Sequence, residues 1–145
     1  MDIMSNFSER LSEFMFHAQL TTEQLGAKIG VSGSSVRSWL RKDSIIKLKH
    51  AIEVAELFNS SLNFLFGLSE TIIDFTPKKA PSFYEHLKIV MKENKISRYK
   101  MCIDLEKGHG NFDVWKNGSS PLMNTVYEIA VYLDVTLDYL VGREK

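Results

Sequence analysis

Apolar residues recur along this chain at intervals of three and four, the period of a helix with one buried face. Phe7, Leu11, Phe14 and Met15 form one such stripe, Leu25 and Ile29 a second, Val36 and Trp39 a third. No stretch shows the sustained alternation of a strand, so the expected fold class is all-α. The pattern then repeats at an offset of 76 residues: Phe7, Leu11, Phe14 and Met15 recur as Phe83, Leu87, Val90 and Met91. Thr21 recurs as Ser97, Leu25 as Met101, Gly26 as Cys102, Ile29 as Leu105, Val36 as Phe112 and Trp39 as Trp115. Beyond Trp39 the offset falls to 75, matching Ala55 to Ala130 and Leu62–Gly67 to Leu137–Gly142. Two copies are too few for a solenoid of stacked units. Each carries its own five apolar helical faces, which predicts two tandem domains, residues 1–69 and 83–145, with a linker at 70–82. Pro77 and Pro81, with Lys78-Lys79 between them, mark that connection. Thr71–Phe75 is too apolar for a loose tether and is expected to pack on a domain or a partner.

Between the second and third stripes lies the most distinctive segment. Thr21 and Gln24 have the spacing of a capping box, which predicts a helix start. Gly26 falls where two crossing helices would approach closely. Gly30 can adopt the left-handed conformation that ends a helix. Ser32 can cap the next helix, whose inner face is then Val36 and Trp39. The outer face is Gly33, Ser34, Arg37, Ser38 and Arg41: small, polar and basic. A hairpin held by packing alone would need the apolar stripes, but not two glycines and a cap in register. Two short helices joined by a tight turn are how a helix is presented to the DNA major groove.

These residues resemble the Cro/C1-type helix-turn-helix family, the lambda-repressor-like or XRE proteins. The resemblance runs from about Phe7 to Gly67 and includes the closing Phe58-Asn59-Ser60-Ser61-Leu62-Asn63-Phe64-Leu65-Phe66-Gly67, similar to the family's fourth and fifth helices. It implies a lambda-repressor-like five-helix domain in each copy, sequence-specific DNA binding and regulation of transcription, with a repressor of phage or mobile-element type expected. The recognition helix is then Ser32 to Leu40, with Ser32, Gly33, Ser34, Arg37 and Ser38 as base-facing candidates. By the same resemblance Thr22, Arg41, Lys42, Lys47 and Lys49 would contact phosphates. Gly33 and Ser34 hold the positions that usually read bases, and a glycine reads nothing by side chain. Either the target is short and weakly specified, or Arg37 and DNA shape supply the discrimination. Arg37 can bond a guanine edge, or its position can aim it at a phosphate.

The second copy keeps the core pattern and departs at the turn, where Glu106-Lys107-Gly108 replaces Gly30-Val31-Ser32. The left-handed position falls on Glu106, or the turn shifts to Gly108 or Gly110. A second DNA-contacting set would comprise Lys107, His109, Asn111, Lys116 and Asn117, with Asp113 opposing phosphates. Asn117-Gly118 makes a turn after the helix. A second DNA reader and a scaffold kept for packing or dimerisation both remain open.

The formal net charge is zero, but net charge is a poor guide to local potential. Five bases and one acid lie between Arg37 and Lys49, next to the motif, which favours a phosphate-contacting strip. The single cysteine excludes an intrachain disulfide and fits a reducing cytoplasm; Cys102 reads as a packed thiol. No secretory signal or membrane span is visible, and a cytoplasmic location is expected. None of the four histidines (His17, His50, His86, His109) has a partner at metal spacing, and His17 and His86 are expected at the surface. No catalytic arrangement, cofactor motif, metal site or small-molecule substrate is evident, so an enzyme is not expected. The partners expected are double-stranded DNA and a second copy of the chain. Two chains pairing through the second domain or the apolar linker are favoured over one chain presenting both motifs. The rival reading is a protein-interaction module (antirepressor, antitoxin or dimerisation partner) that keeps the fold with little DNA binding.

Overall fold

A computed structural model describes residues 2–106 and 110–144, and among these all regular secondary structure longer than a single bridge is helical. The chain divides into two compact units, Met1–Asp74 and Phe75–Lys145.

The first unit contains α1 (Ile3–Ala18), α2 (Thr22–Ile29), α3 (Gly33–Leu40), α4 (Leu48–Leu57) and α5 (Leu62–Leu65). Asp2 caps α1 by accepting from the Met4 N–H at 3.0 Å. The stripes meet as expected: Phe7, Leu11, Leu25, Val36, Val54, Leu62 and Leu65 are withdrawn from water, each contributing about 1.5–3 kcal/mol by burial. Phe7 stacks on Phe66 at 5.0 Å and meets the edge of Trp39 at 6.5 Å, so α1 backs directly onto α3. Ser8 Oγ donates to the Trp39 carbonyl at 2.7 Å, which also accepts from the Lys42 N–H at 3.1 Å. Arg10 lies 3.9 Å over the Phe64 ring and donates to the carbonyls of Phe64 (2.8 Å) and Ser69 (2.9 Å), closing the end of α5.

The second unit contains α6 (Phe83–Glu93), α7 (Arg98–Asp104), α8 (Gly110–Lys116), α9 (Met123–Leu133) and α10 (Leu137–Val141). Ser82, Ser97 and Thr136 cap α6, α7 and α10. Leu87, Val90, Phe112, Trp115, Val126, Ile129 and Leu140 form its core, and Cys102 is buried as a packing thiol. Its last turn holds a buried ion pair: Arg143 Nη1 donates to Asp138 Oδ1 at 2.9 Å, with side chains 2% and 0% exposed.

One expectation needs correction. His86 does not face solvent. It is half-buried, and its Nε2 donates to the Tyr139 carbonyl at 2.9 Å, the position that Arg10 holds toward Phe64 in the first unit. Within residues 70–82 backbone groups bond to each unit in turn. Ile72 accepts from the Ser61 N–H at 2.8 Å in the first unit, and Lys78 N–H donates to the Arg143 carbonyl at 2.9 Å in the second. Apolar side chains and unpaired backbone groups along this stretch find partners in whichever unit they border.

Candidate nucleic-acid interface

The turn between α2 and α3 is built from small, local requirements. Thr21 Oγ1 accepts from the Gln24 N–H at 3.1 Å, and Gln24 Oε1 accepts from the Thr21 N–H at 2.9 Å, completing the capping box. Gly30 ends α2 at φ 77°, and a Cβ there would meet nothing within 4 Å, so its requirement is conformational alone. Gly26 lies at a close approach. A Cβ on it would press on the Val31 carbonyl oxygen, the Ser32 carbonyl carbon (3.1 Å) and the Gly33 nitrogen (3.2 Å). The backbone of the turn and the first residue of α3 occupy that space. Ser32 then caps α3 by accepting from the Ser35 N–H at 3.1 Å.

This cap engages the Ser32 side chain within the protein, leaving Ser34 as the exposed serine of the first turn of α3. Ser38 Oγ lies 2.8 Å from Ser44 Oγ, which ties the middle of α3 to the loop beyond it. Arg41 pairs with Asp43 at 2.9 Å on an exposed edge. Lys42 sits at φ 64°, a left-handed corner from which its exposed side chain leaves the turn. Lys47 is the N-cap residue of α4, and both Lys47 and Lys49 are exposed. The bases of residues 37–49 therefore border one end of α3 and the start of α4.

Arg37 is exposed on the outer face but already engaged. Its Nη1 donates to Thr22 Oγ1 at 3.0 Å and to Glu23 Oε1, a short ion pair across the turn. Thr22 Oγ1 in turn donates to Glu23 Oε2 at 2.9 Å. The guanidinium, and secondarily the Thr22 hydroxyl, hold the Glu23 carboxyl below the usual glutamate range, so it is ionised at neutral pH. Sequence reasoning missed Glu23. The pair joins residues 14 apart on two helices, which no single-helix periodicity encodes; its one visible signal was an acid in the first turn of α2.

The second unit differs at the same places. Glu106 takes the left-handed position, at φ 55°. Lys107, Gly108 and His109 lie outside the described residues. Asn111 is half-buried and lines an internal cavity with Cys102, Phe112 and Ile129. Lys116 and Asn117 are exposed at the end of α8, and Gly118 closes the following turn at φ 99°. Asp113 pairs with Arg98 at 3.3 Å, and the Arg98 guanidinium lies 4.7 Å over the Phe112 ring. At the 76-residue offset Arg98 and Asp113 correspond to Thr22 and Arg37, so the base moves from the third helix to the second and an acid takes its place. Among the described residues no helix is long and apolar enough to cross a membrane.

A helix-turn-helix family model matches residues 17–65, which spans α2, α3, α4 and α5. This part of the chain is similar to helix-turn-helix domains. No curated protein and no solved structure matches the chain.

Proposed function

We propose that this chain is a sequence-specific DNA-binding repressor of transcription, of phage or mobile-element type, which seats α3 in the major groove. One observation carries the reading: α3 follows a capped, glycine-closed turn, faces outward with Gly33, Ser34 and Arg37, and is bordered by exposed Arg41, Lys42, Lys47 and Lys49. A polar reading face flanked by cations suits base edges flanked by phosphates. The chain acts by occupying its operator in the cytoplasm, and no catalytic step is assigned to it.

The second unit is read as a divergent copy of the first. Support comes from bonds at matching positions: Leu68 N–H to the Asn63 carbonyl (2.8 Å) and Arg143 N–H to the Asp138 carbonyl (3.0 Å) close the two last turns alike. Its outer helices expose Tyr99, Ile103 and Val114, where the first unit carries Glu23, Ala27 and Ser38. This apolar surface favours pairing of two chains through the second unit over a second DNA reader. α7 also begins with Arg98 and Lys100 and ends with Asp104. Within the chain Arg98 is paired with Asp113 and Lys100 with Asp104.

Selection of operators from a random duplex pool with the full chain tests the function. The expected result is an enriched palindrome bound by two chains, with affinity falling steeply as salt rises. Absence of any enriched sequence, with salt-insensitive capture of a protein partner, would overturn it in favour of a protein-interaction module.

A further inference from the structure

Gly33 opens the recognition helix with no side chain, yet the space beside it is filled. A Cβ on Gly33 would lie 2.8 Å from Glu23 Oε1 and 2.9 Å from Glu23 Cδ. The carboxylate of α2 therefore stands where a side chain of residue 33 would project. It is fixed there by Arg37 Nη1 and by the Thr22 hydroxyl. An ionised carboxylate accepts through two oxygens with about four lone-pair sites, so each oxygen can take another donor. The bonds of Arg37 to Thr22 and Glu23 both use Nη1, which leaves Nη2 and Nε of this partly exposed side chain for a further acceptor.

In the major groove a C·G pair presents the cytosine N4 amino donor beside the O6 and N7 acceptors of guanine, while thymine presents only an acceptor and a methyl group. We propose that Glu23 is a base-reading residue of this interface: its carboxylate accepts from the N4 amino group of a cytosine, and Arg37 positions it while its free edge faces the paired guanine. This rests on the DNA-binding reading given above and names the base pair read at that site. The reader missing from α3 is supplied by α2, and the acid excludes thymine at that position by placing acceptor against acceptor.

Parallel operator selections with the full chain and with Glu23→Ala, Glu23→Gln and Gly33→Ala provide the test, with circular dichroism confirming helix in each. In the parent, one column per half-site should be C·G. Glu23→Ala should flatten that column, losing about 5- to 150-fold discrimination against T·A, without weakening binding to random DNA. Glu23→Gln should move the column toward adenine, whose N6 and N7 suit an amide. Gly33→Ala adds a Cβ that meets only the far end of a flexible side chain, so the fold should survive while the carboxylate shifts and the same column loses preference. The proposal is overturned if Glu23→Ala selects the parent operator unchanged. It is equally overturned if Glu23→Ala binds every sequence more tightly by one factor, since the acid then only repels phosphate. A parent that enriches no sequence would instead remove the DNA-binding reading itself.

Discussion

Asp138→Ala would remove the carboxylate that pairs with a buried guanidinium in the second unit. Arg143 is 2% exposed and Asp138 0%, and their 2.9 Å bond places the charge with its partner at the end of α10. Removing one member of a buried ion pair costs about 3–5 kcal/mol. For a unit of this size each kcal/mol lowers the melting temperature by roughly 4–8 °C, so the second unit should melt at least about 12 °C below the parent. The two tryptophans fall one to each unit, so Trp115 fluorescence in a Trp39→Phe background follows the second unit within the full chain. Asp138→Leu combined with Arg143→Met removes both charges together and should recover most of the loss, because an apolar pair of similar volume is often neutral. If Asp138→Ala melts within about 2 °C of its background, the pair contributes nothing resolvable and the reasoning from burial fails.

Gly26→Ala should cost the first unit about 1–3 kcal/mol, because the new methyl meets turn backbone that cannot yield; an unchanged urea midpoint would show that the turn gives way. Lys47→Ala should weaken binding to all DNA sequences alike and reduce the slope of log affinity against log salt by roughly one unit; an unchanged slope would remove Lys47 from the phosphate strip. Glu23 has a carboxyl pKa lowered by Arg37 and Thr22, so the stability it contributes is complete above the ordinary glutamate value and disappears as pH falls through the lowered one. Arg37→Ala should return the Glu23 titration, followed by carboxyl carbon chemical shift, toward the ordinary range. A titration that does not move would show that the arginine is not the cause.

Much of the first unit was legible because its signals are local. Thr21, Gln24, Gly30 and Ser32 act on backbone within four residues of themselves, and they appear where spacing put them. The inner faces followed from periodicity, since Val36 and Trp39 have no route to water on a short helix packed against Phe7. The contacts that sequence did not reveal join side chains across elements. Glu23 reaches Arg37 over the turn, and His86 reaches a carbonyl 53 positions away. Asp138 gives no sign of burial in the sequence, and its partner Arg143 lies beyond the end of its helix. Gly26 shows an intermediate case: the need for a missing Cβ was readable, but the atoms enforcing it were not, because turn backbone carries no sequence signature of its own.

The bond from Lys78 N–H to the Arg143 carbonyl has a topological consequence. The second unit is entered and left at nearly the same point, with Pro81 seated against Gly142 beside that bond. A segment whose ends already touch asks nothing of the chain that carries it: the host need neither stretch nor open to accommodate both junctions. Such a unit is portable. Set into a surface loop of an unrelated scaffold through short joints at its two ends, residues 75–144 should keep their helices and leave the host's own fold undisturbed.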